Sequence, residues 1–352
     1  MRPSVQCSSW GVAPATSLQP AQEVERFRLT VDSLAIEVVT LGASLFVVET
    51  PDQTGAVANV VLGLPDLPAA LDRPRNHNLG ATIGRYANRI GGAAFSIDGV
   101  RSEVQANEPP NQLHGGDDGW GRLVWAAESQ TGDTWAELQL TMVSPDNDNE
   151  FPGEVTATTT YRIEPGVLTM THEATTTAPT VVSMTNHAYW NLAGAGSARG
   201  HELQVAAARR LAVGDDKIPT GELIDNRGTG YDLRTPRSVA ALVGEFGGLD
   251  DCYVLDADLE GRPAAVLSDR GAGAVWRLRP TSRPFRCIRA TSWVVSLSSM
   301  GRCVSRPSSF LMRQIMTRSR QRCSARASAT SAPPRTASYL VCLTSFGPTK
   351  RS

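Results

Sequence analysis

The sequence predicts an all-β protein, an extended antiparallel sandwich, and three observations carry that reading. Period-two segments recur: Glu137 to Val143 (ELQLTMV), Val155 to Ile163 (VTATTTYRI) and Leu168 to Ala174 (LTMTHEA) alternate polar with apolar or β-branched residues. That alternation marks strands half buried on one face. Turn clusters separate them at Ser144 to Asn149, Glu164-Pro165-Gly166 and Gly214-Asp215-Asp216, each rich in residues that favour tight turns. Capped helix-period stretches are scarce, while Gly (31) and Pro (22) are frequent. Many short strands in one long chain favour a sandwich over a helical fold.

Along the chain, the best short helix candidate is Pro65 to Leu71, weakened by Pro68 inside it. No repeat of about 20–50 residues is present. At 352 residues and 41% hydrophobic content the chain has enough apolar surface for one large domain or two ordinary ones. No apolar run approaches the roughly 18 residues of a membrane helix. Met1 to Gln19 lacks the continuous apolar stretch of a signal peptide. These features predict a cytoplasmic protein without a membrane partner.

The net charge of −1 hides a split. From Thr281 to Ser352 there are 12 Arg, 1 Lys and no acid, which leaves 21 basic against 35 acidic residues in the body. Four of the six Cys (Cys287, Cys303, Cys323, Cys342) lie in that tail, and none of the five His does. A basic arm of this kind ordinarily suggests nucleic acid. Here the aromatic residues are too widely spread among the arginines for base stacking, so no nucleic-acid partner is expected. Within the tail, Ser292 to Leu297 and Ser338 to Leu343 are apolar enough to adhere to other strands.

Phosphate loops, GxGxxG, HExxH and GxSxG are all absent, and two body cysteines, Cys7 and Cys252, make no CxxC site. The sequence therefore does not predict a zinc or nucleotide enzyme. Polar clusters inside apolar runs remain. The densest is Thr185-Asn186-His187-Ala188-Tyr189-Trp190-Asn191-Leu192, where a His beside Asn and two rings suits proton exchange near neutral pH. A core-edge His satisfied by a carbonyl fits that octet equally well. Leu113-His114-Gly115-Gly116 sets a second His where backbone can approach a ligand, or where a tight turn exposes it. Ile83 to Ile90 (IGRYANRI) carries Arg85 and Arg89, either of which suits a polar substrate or a surface carboxylate. Gly248 to Tyr253 (GLDDCY) offers adjacent acids, of which a strand turns only one toward a site.

Taken together, GRxANRI, LHGG, TNHxYxNLxG and GxDxxY, in this order, resemble the aldose 1-epimerases (galactose mutarotases). Phe151-Pro152-Gly153-Glu154, Ile218 to Glu222 and Tyr231 to Arg234 add smaller agreements, and the likeness spans roughly Val24 to Leu278. The resemblance implies a β-supersandwich and cofactor-free interconversion of the α and β anomers of free aldohexoses, with a small-molecule sugar as partner and a monomer or weak dimer as the assembly. By the same resemblance, His187 is the general acid to the ring oxygen and His114 the second active-site His. Asn88, Arg89 and Asp250 hold sugar hydroxyls. Residues 1–23 form an extension, 24–280 the sandwich domain and 281–352 its displaced remainder.

The family's base is a Glu in an ETQxxPDxPN segment, and this chain has no Glu after Glu260. Reading the last base of each codon with the first two of the next, with synonymous codons chosen freely, turns Ser305 to Met316 into LETQFFPDAPNH. The same shift turns Arg286 to Trp293 into QVYTGNFL and Arg322 to Ser328 into TVLRPGE. Met312, Met316 and Trp293 have single codons and still fit. One base missing between about codons 271 and 281 accounts for the tail, and the family's Glu then falls at Arg306. The C-terminal strands are accordingly expected to be disrupted. A non-catalytic sugar-binding relative, or an inactive product lacking its base, is the alternative reading.

Overall fold

The computed structural model describes residues 2–72, 76–256, 259, 261–280, 291–299, 310–318 and 335–345, the last three stretches as strand backbone. Among these residues the chain forms a five-, a nine- and a six-stranded sheet, and every pairing within them is antiparallel. The period-two segments are strands as predicted: Ala136–Ser144, Val155–Glu164 and Val167–Thr176 lie side by side. In Val155–Glu164 each odd-numbered residue is buried and each even one partly exposed, as a strand with one face on the core requires. The stretch read as an N-terminal extension adds an edge strand, Ser4–Ala13, paired to Gln22–Val31.

One core joins all three sheets. It takes Leu29 and Ile36 from the first, Leu138 and Tyr161 from the second, and Trp190 and Tyr253 from the third. Trp190 and Trp276 meet across the sandwich with ring centroids 5.4 Å apart. Each such side chain contributes roughly 1.5–3 kcal/mol through burial.

The short helix Leu67–Leu71 falls inside the predicted window, and the Asp66 side chain accepts its Ala69 N–H at 2.9 Å. A second helix, Val239–Phe246, escaped the sequence reading. It buries Val239, Leu242 and Val243, and Gly247 ends it at φ +72° while donating its N–H to Val243 O. That spacing and cap are a helical signature, outweighed by the strand-rich context on either side.

Within the tail, the described residues form three strands. Thr291–Ser299 and Phe310–Arg318 fill the six-stranded sheet between Leu249–Val254 and Tyr189–Trp190, and Arg335–Ser345 lies between Val167–Thr176 and Ala274–Pro280. Ladder hydrogen bonds come from the main chain, so any extended segment of the right length can occupy a vacant lane. The two apolar runs noted in the tail lie within two of these strands.

His172 sits on the buried face of Val167–Thr176, with Nδ1 2.9 Å from Thr159 Oγ1. Burial pushes its pKa from 6.5 to about 4. The folded state therefore favours the neutral ring. The associated stability is complete above the unfolded value of 6.5 and is lost as pH falls toward 4, by about 3 kcal/mol in all. Urea unfolding at pH 7.5 and 4.5 should show a steeper loss for the native chain than for His172→Gln; equal losses would refute the assignment.

Candidate active site

The TNHAYWNL octet runs beside residues 78–83. Thr185 and Asn186 pair with Ile83 and Thr82, His187 N–H donates to Ala81 O at 2.9 Å, and Gly80 N–H donates to His187 O at 3.1 Å. Asn186 fixes both flanks of His187. Its Nδ2 donates to Gly80 O (2.8 Å) and to the Tyr161 hydroxyl (3.0 Å), and its Oδ1 accepts from Ala188 N–H (2.9 Å). Tyr161 in turn donates to Ala43 O at 2.7 Å. These groups are all buried, so each hydrogen bond is costly to leave unmade. The main chain that carries His187 is therefore held in place.

His114 closes on it from the LHGG turn. The two rings meet edge to face with centroids 5.3 Å apart, and the Tyr189 ring lies tilted with its centroid 5.3 Å from that of His187. His114 has φ +55° and Asn88 φ +70°, and their backbones clasp each other: His114 N–H donates to Asn88 O at 3.0 Å. Asn88 N–H donates to His114 Nδ1, also at 3.0 Å. With Nδ1 committed as acceptor, the neutral ring carries its proton on Nε2. Gly115 is required here, since a Cβ on it would stand 2.1 Å from Gly84 O.

The two arginines of IGRYANRI divide. Arg85 does not reach a substrate: it is 1% exposed, and its donors go to Ser144 Oγ and the carbonyls of Ser144, Pro145, Pro152 and Gly153. Asp148, bonded by Ser144 Oγ, is the nearby countercharge. Burial lowers the Arg85 pKa to about 10 and raises that of Asp148. The turn read at Ser144 to Asn149 and the Phe151-Pro152-Gly153 segment after it are thus wrapped around a buried guanidinium. Arg89 forks onto Glu108, with Nε–Oε2 2.5 Å and Nη2–Oε1 2.9 Å, and this hydrogen bond holds the Glu108 carboxyl below its usual range.

Asp250 and Asp251 fall on opposite faces of Leu249–Val254. Asp251 is paired to Arg210 at 3.4 Å, and burial raises its pKa against that pull. The register reads Tyr189↔313, 313↔296 and 296↔Asp250 across the six-stranded sheet. Residues in one such row share a face. Asp250 thus stands on the Tyr189 face, three strand spacings or about 14 Å away. Position 306, where the family's Glu is expected, lies outside the described residues.

A hollow of about 160 Å³ opens beside His114, walled by Ile83, Leu113, Asn78, Asn107 and Arg122 over a floor of glycines. Both polar atoms of Asn107 are spent on Leu113, as donor to its O (2.9 Å) and acceptor from its N–H (2.7 Å). Nothing in the sequence singled out Asn78, Asn107 or Arg122; they meet only through the fold. No group of three His, Cys, Asp or Glu among the described residues is arranged to hold a metal. Nor is any described helix long and apolar enough to cross a membrane.

Residues 25–286 match the aldose 1-epimerase family. The chain is 33% identical to a galactose mutarotase of Sus scrofa over 265 residues, 74% of this chain and 76% of that one. It is 34% identical to an aldose 1-epimerase of Escherichia coli over 252 residues, 68% and 70% of the two. Among solved structures, galactose 1-epimerase from Lactobacillus acidophilus superposes with a TM-score of 0.77 at 20% identity, over 98% of this chain and all of that one. A Caenorhabditis elegans homologue of the family gives 0.75 at 21%, over 90% and 97%. The sandwich is the one these proteins share, and the chain belongs to the aldose 1-epimerase family, enzymes that interconvert the anomers of aldoses.

Proposed function

We propose that the reaction runs on free aldohexoses, glucose and galactose among them, with His187 as the acid. The observation that carries this reading is the seat of His187, fixed by Asn186 and Tyr161 and faced by His114. A base takes the proton of the C1 hydroxyl while His187 gives one to the ring oxygen; the C1–O5 bond breaks and an open-chain aldehyde forms. Rotation about C1–C2 and reclosure with the protons returned yield the other anomer. His114 donates from Nε2 to a sugar oxygen. Asp250 grips hydroxyls from across the cleft, and Asn88 and Arg89 sit at its near wall, Asn88 clasping His114 and Arg89 braced by Glu108.

The base belongs to the tail. We take residues 281–352 as the remainder of the same domain read one base out of frame, so the missing Glu belongs at position 306. Support comes from the single-codon residues that fit the shift and from the family match that stops at residue 286. A monomer or weak dimer is the proposed assembly, on the family resemblance alone. The cytoplasm is the proposed setting, in keeping with the free thiols of Cys7 and Cys252.

The test is polarimetry on freshly dissolved α-glucose and α-galactose with the frame-restored chain. The optical rotation should relax faster than in buffer for at least one of them. No acceleration with any common aldose would refute the substrate reading.

A further inference from the structure

Arg89 reaches the site with its charge already balanced. The ladder pairs Arg89 with Leu113, the first residue of the LHGG turn, and Asn88 beside it clasps His114. Its guanidinium spends the Nε–H and one Nη2–H on the two oxygens of Glu108. A guanidinium has five N–H donors, so three remain, and these make no hydrogen bond among the described residues.

The main chain of Glu108 is tied into the loop that ends in His114. Its N–H donates to Asn111 O at 3.1 Å, and its O accepts from Asn111 N–H at 2.8 Å. Asn111 Oδ1 accepts from Gly92 N–H at 2.9 Å, and Asn107 is bonded through both amide atoms to the main chain of Leu113. The hydrogen bond from Arg89 holds the Glu108 carboxyl below its usual range, so the pair is intact at neutral pH. Lys217 is the other cation acting on Glu108; it is exposed and directly follows Asp215 and Asp216. With Glu108 nearly half exposed, such a pair adds little to stability. Its consequence is chemical. A bare arginine draws phosphates and carboxylates more strongly than hydroxyls. An arginine with a carboxylate across one edge offers donors without net charge, and the carboxylate repels an incoming anion.

We propose that Glu108 is a specificity-determining residue, which by pairing with Arg89 makes this wall of the cleft select neutral aldoses over sugar phosphates and uronic acids. The inference rests on the hydroxyl-binding role of Arg89 proposed above. Glu108 itself lies outside the blocks that carry the family resemblance. The body's excess of acidic residues (35 against 21 basic) adds long-range repulsion of the same sign.

The experiment is titration calorimetry of the full chain with glucose, galactose, glucose 6-phosphate and glucuronate at low salt. At least one neutral sugar should bind the native chain more tightly than both charged ones. In Glu108→Gln a charged sugar should gain about 10-fold relative to that neutral sugar, the scale of a hydrogen bond to a charged group. Added salt should shrink the gain. Glu108→Asp keeps the charge and should keep the native order. Melting temperatures of both variants should stay close to that of the parent, which separates a binding effect from a folding one. A charged sugar that binds the native chain best, or a ratio unchanged in Glu108→Gln, overturns the proposal while leaving the aldose reading intact. Loss of the fold in Glu108→Gln would make the pair structural and also overturn it. If Arg89→Gln leaves every affinity unchanged, Arg89 does not touch the sugar and the proposal falls with that premise. Failure of all four sugars to bind sinks the aldose reading and this inference together.

Discussion

His187→Ala in the frame-restored chain should lower kcat by about 10²–10⁴-fold, the usual contribution of a positioned acid, while KM changes far less. The alcohol produced at the ring oxygen needs a proton as the C1–O5 bond breaks, and water reaching a 1% exposed position is a poor substitute for a ring carried there on a fixed main chain. The seat should survive the substitution, because Asn186 binds Gly80, Ala188 and Tyr161 whatever side chain stands at 187. A melting temperature close to that of the parent would confirm that chemistry alone was lost. Stopped-flow polarimetry measures kcat directly, and full activity in this variant would remove His187 from the mechanism.

The strands of the body and the blocks that mark the site were legible because each is a local pattern. Alternation over Val155–Glu164 is set by which face meets the core, and the TNHAYWNL octet holds His187 with its immediate neighbours. What sequence concealed is long-range. Arg85 and Arg89 look alike in IGRYANRI, yet one is buried under Ser144–Gly153 and the other meets Glu108, partners some 60 and 19 residues away. Tyr161 supports Asn186 from a different strand 25 residues earlier. Strand alternation puts Asp250 and Asp251 on opposite faces, and only the register across three strands shows that Asp250 shares a row with Tyr189. The hollow was half legible: Leu113, His114 and Ile83 belong to blocks the sequence marked, while Asn78, Asn107 and Arg122 join them only through the fold.

The chain as written should convert anomers at no more than the buffer rate, and restoring one base between codons 271 and 281 should raise that rate by at least about 10²-fold. Acid catalysis by His187 needs a partner to remove the C1 proton, and residues 281–352 contain neither Asp nor Glu. Arginine, which dominates the charge of the tail, stays protonated at neutral pH and cannot act as that partner. Folding is a separate matter. Three tail segments keep their lanes in the sheets, so main-chain pairing leaves no vacant lane beside Val167–Thr176 or Leu249–Val254 to seed edge-to-edge association. The comparison is therefore made on soluble protein from both genes, with circular dichroism to match strand content and polarimetry to read the rate. Replacing the restored glutamate by glutamine should return the rate to that of the chain as written, because the amide keeps the shape and loses the base. Mutarotation well above buffer in the unrestored chain would mean that another group accepts the proton, and the frame-shift account would fall.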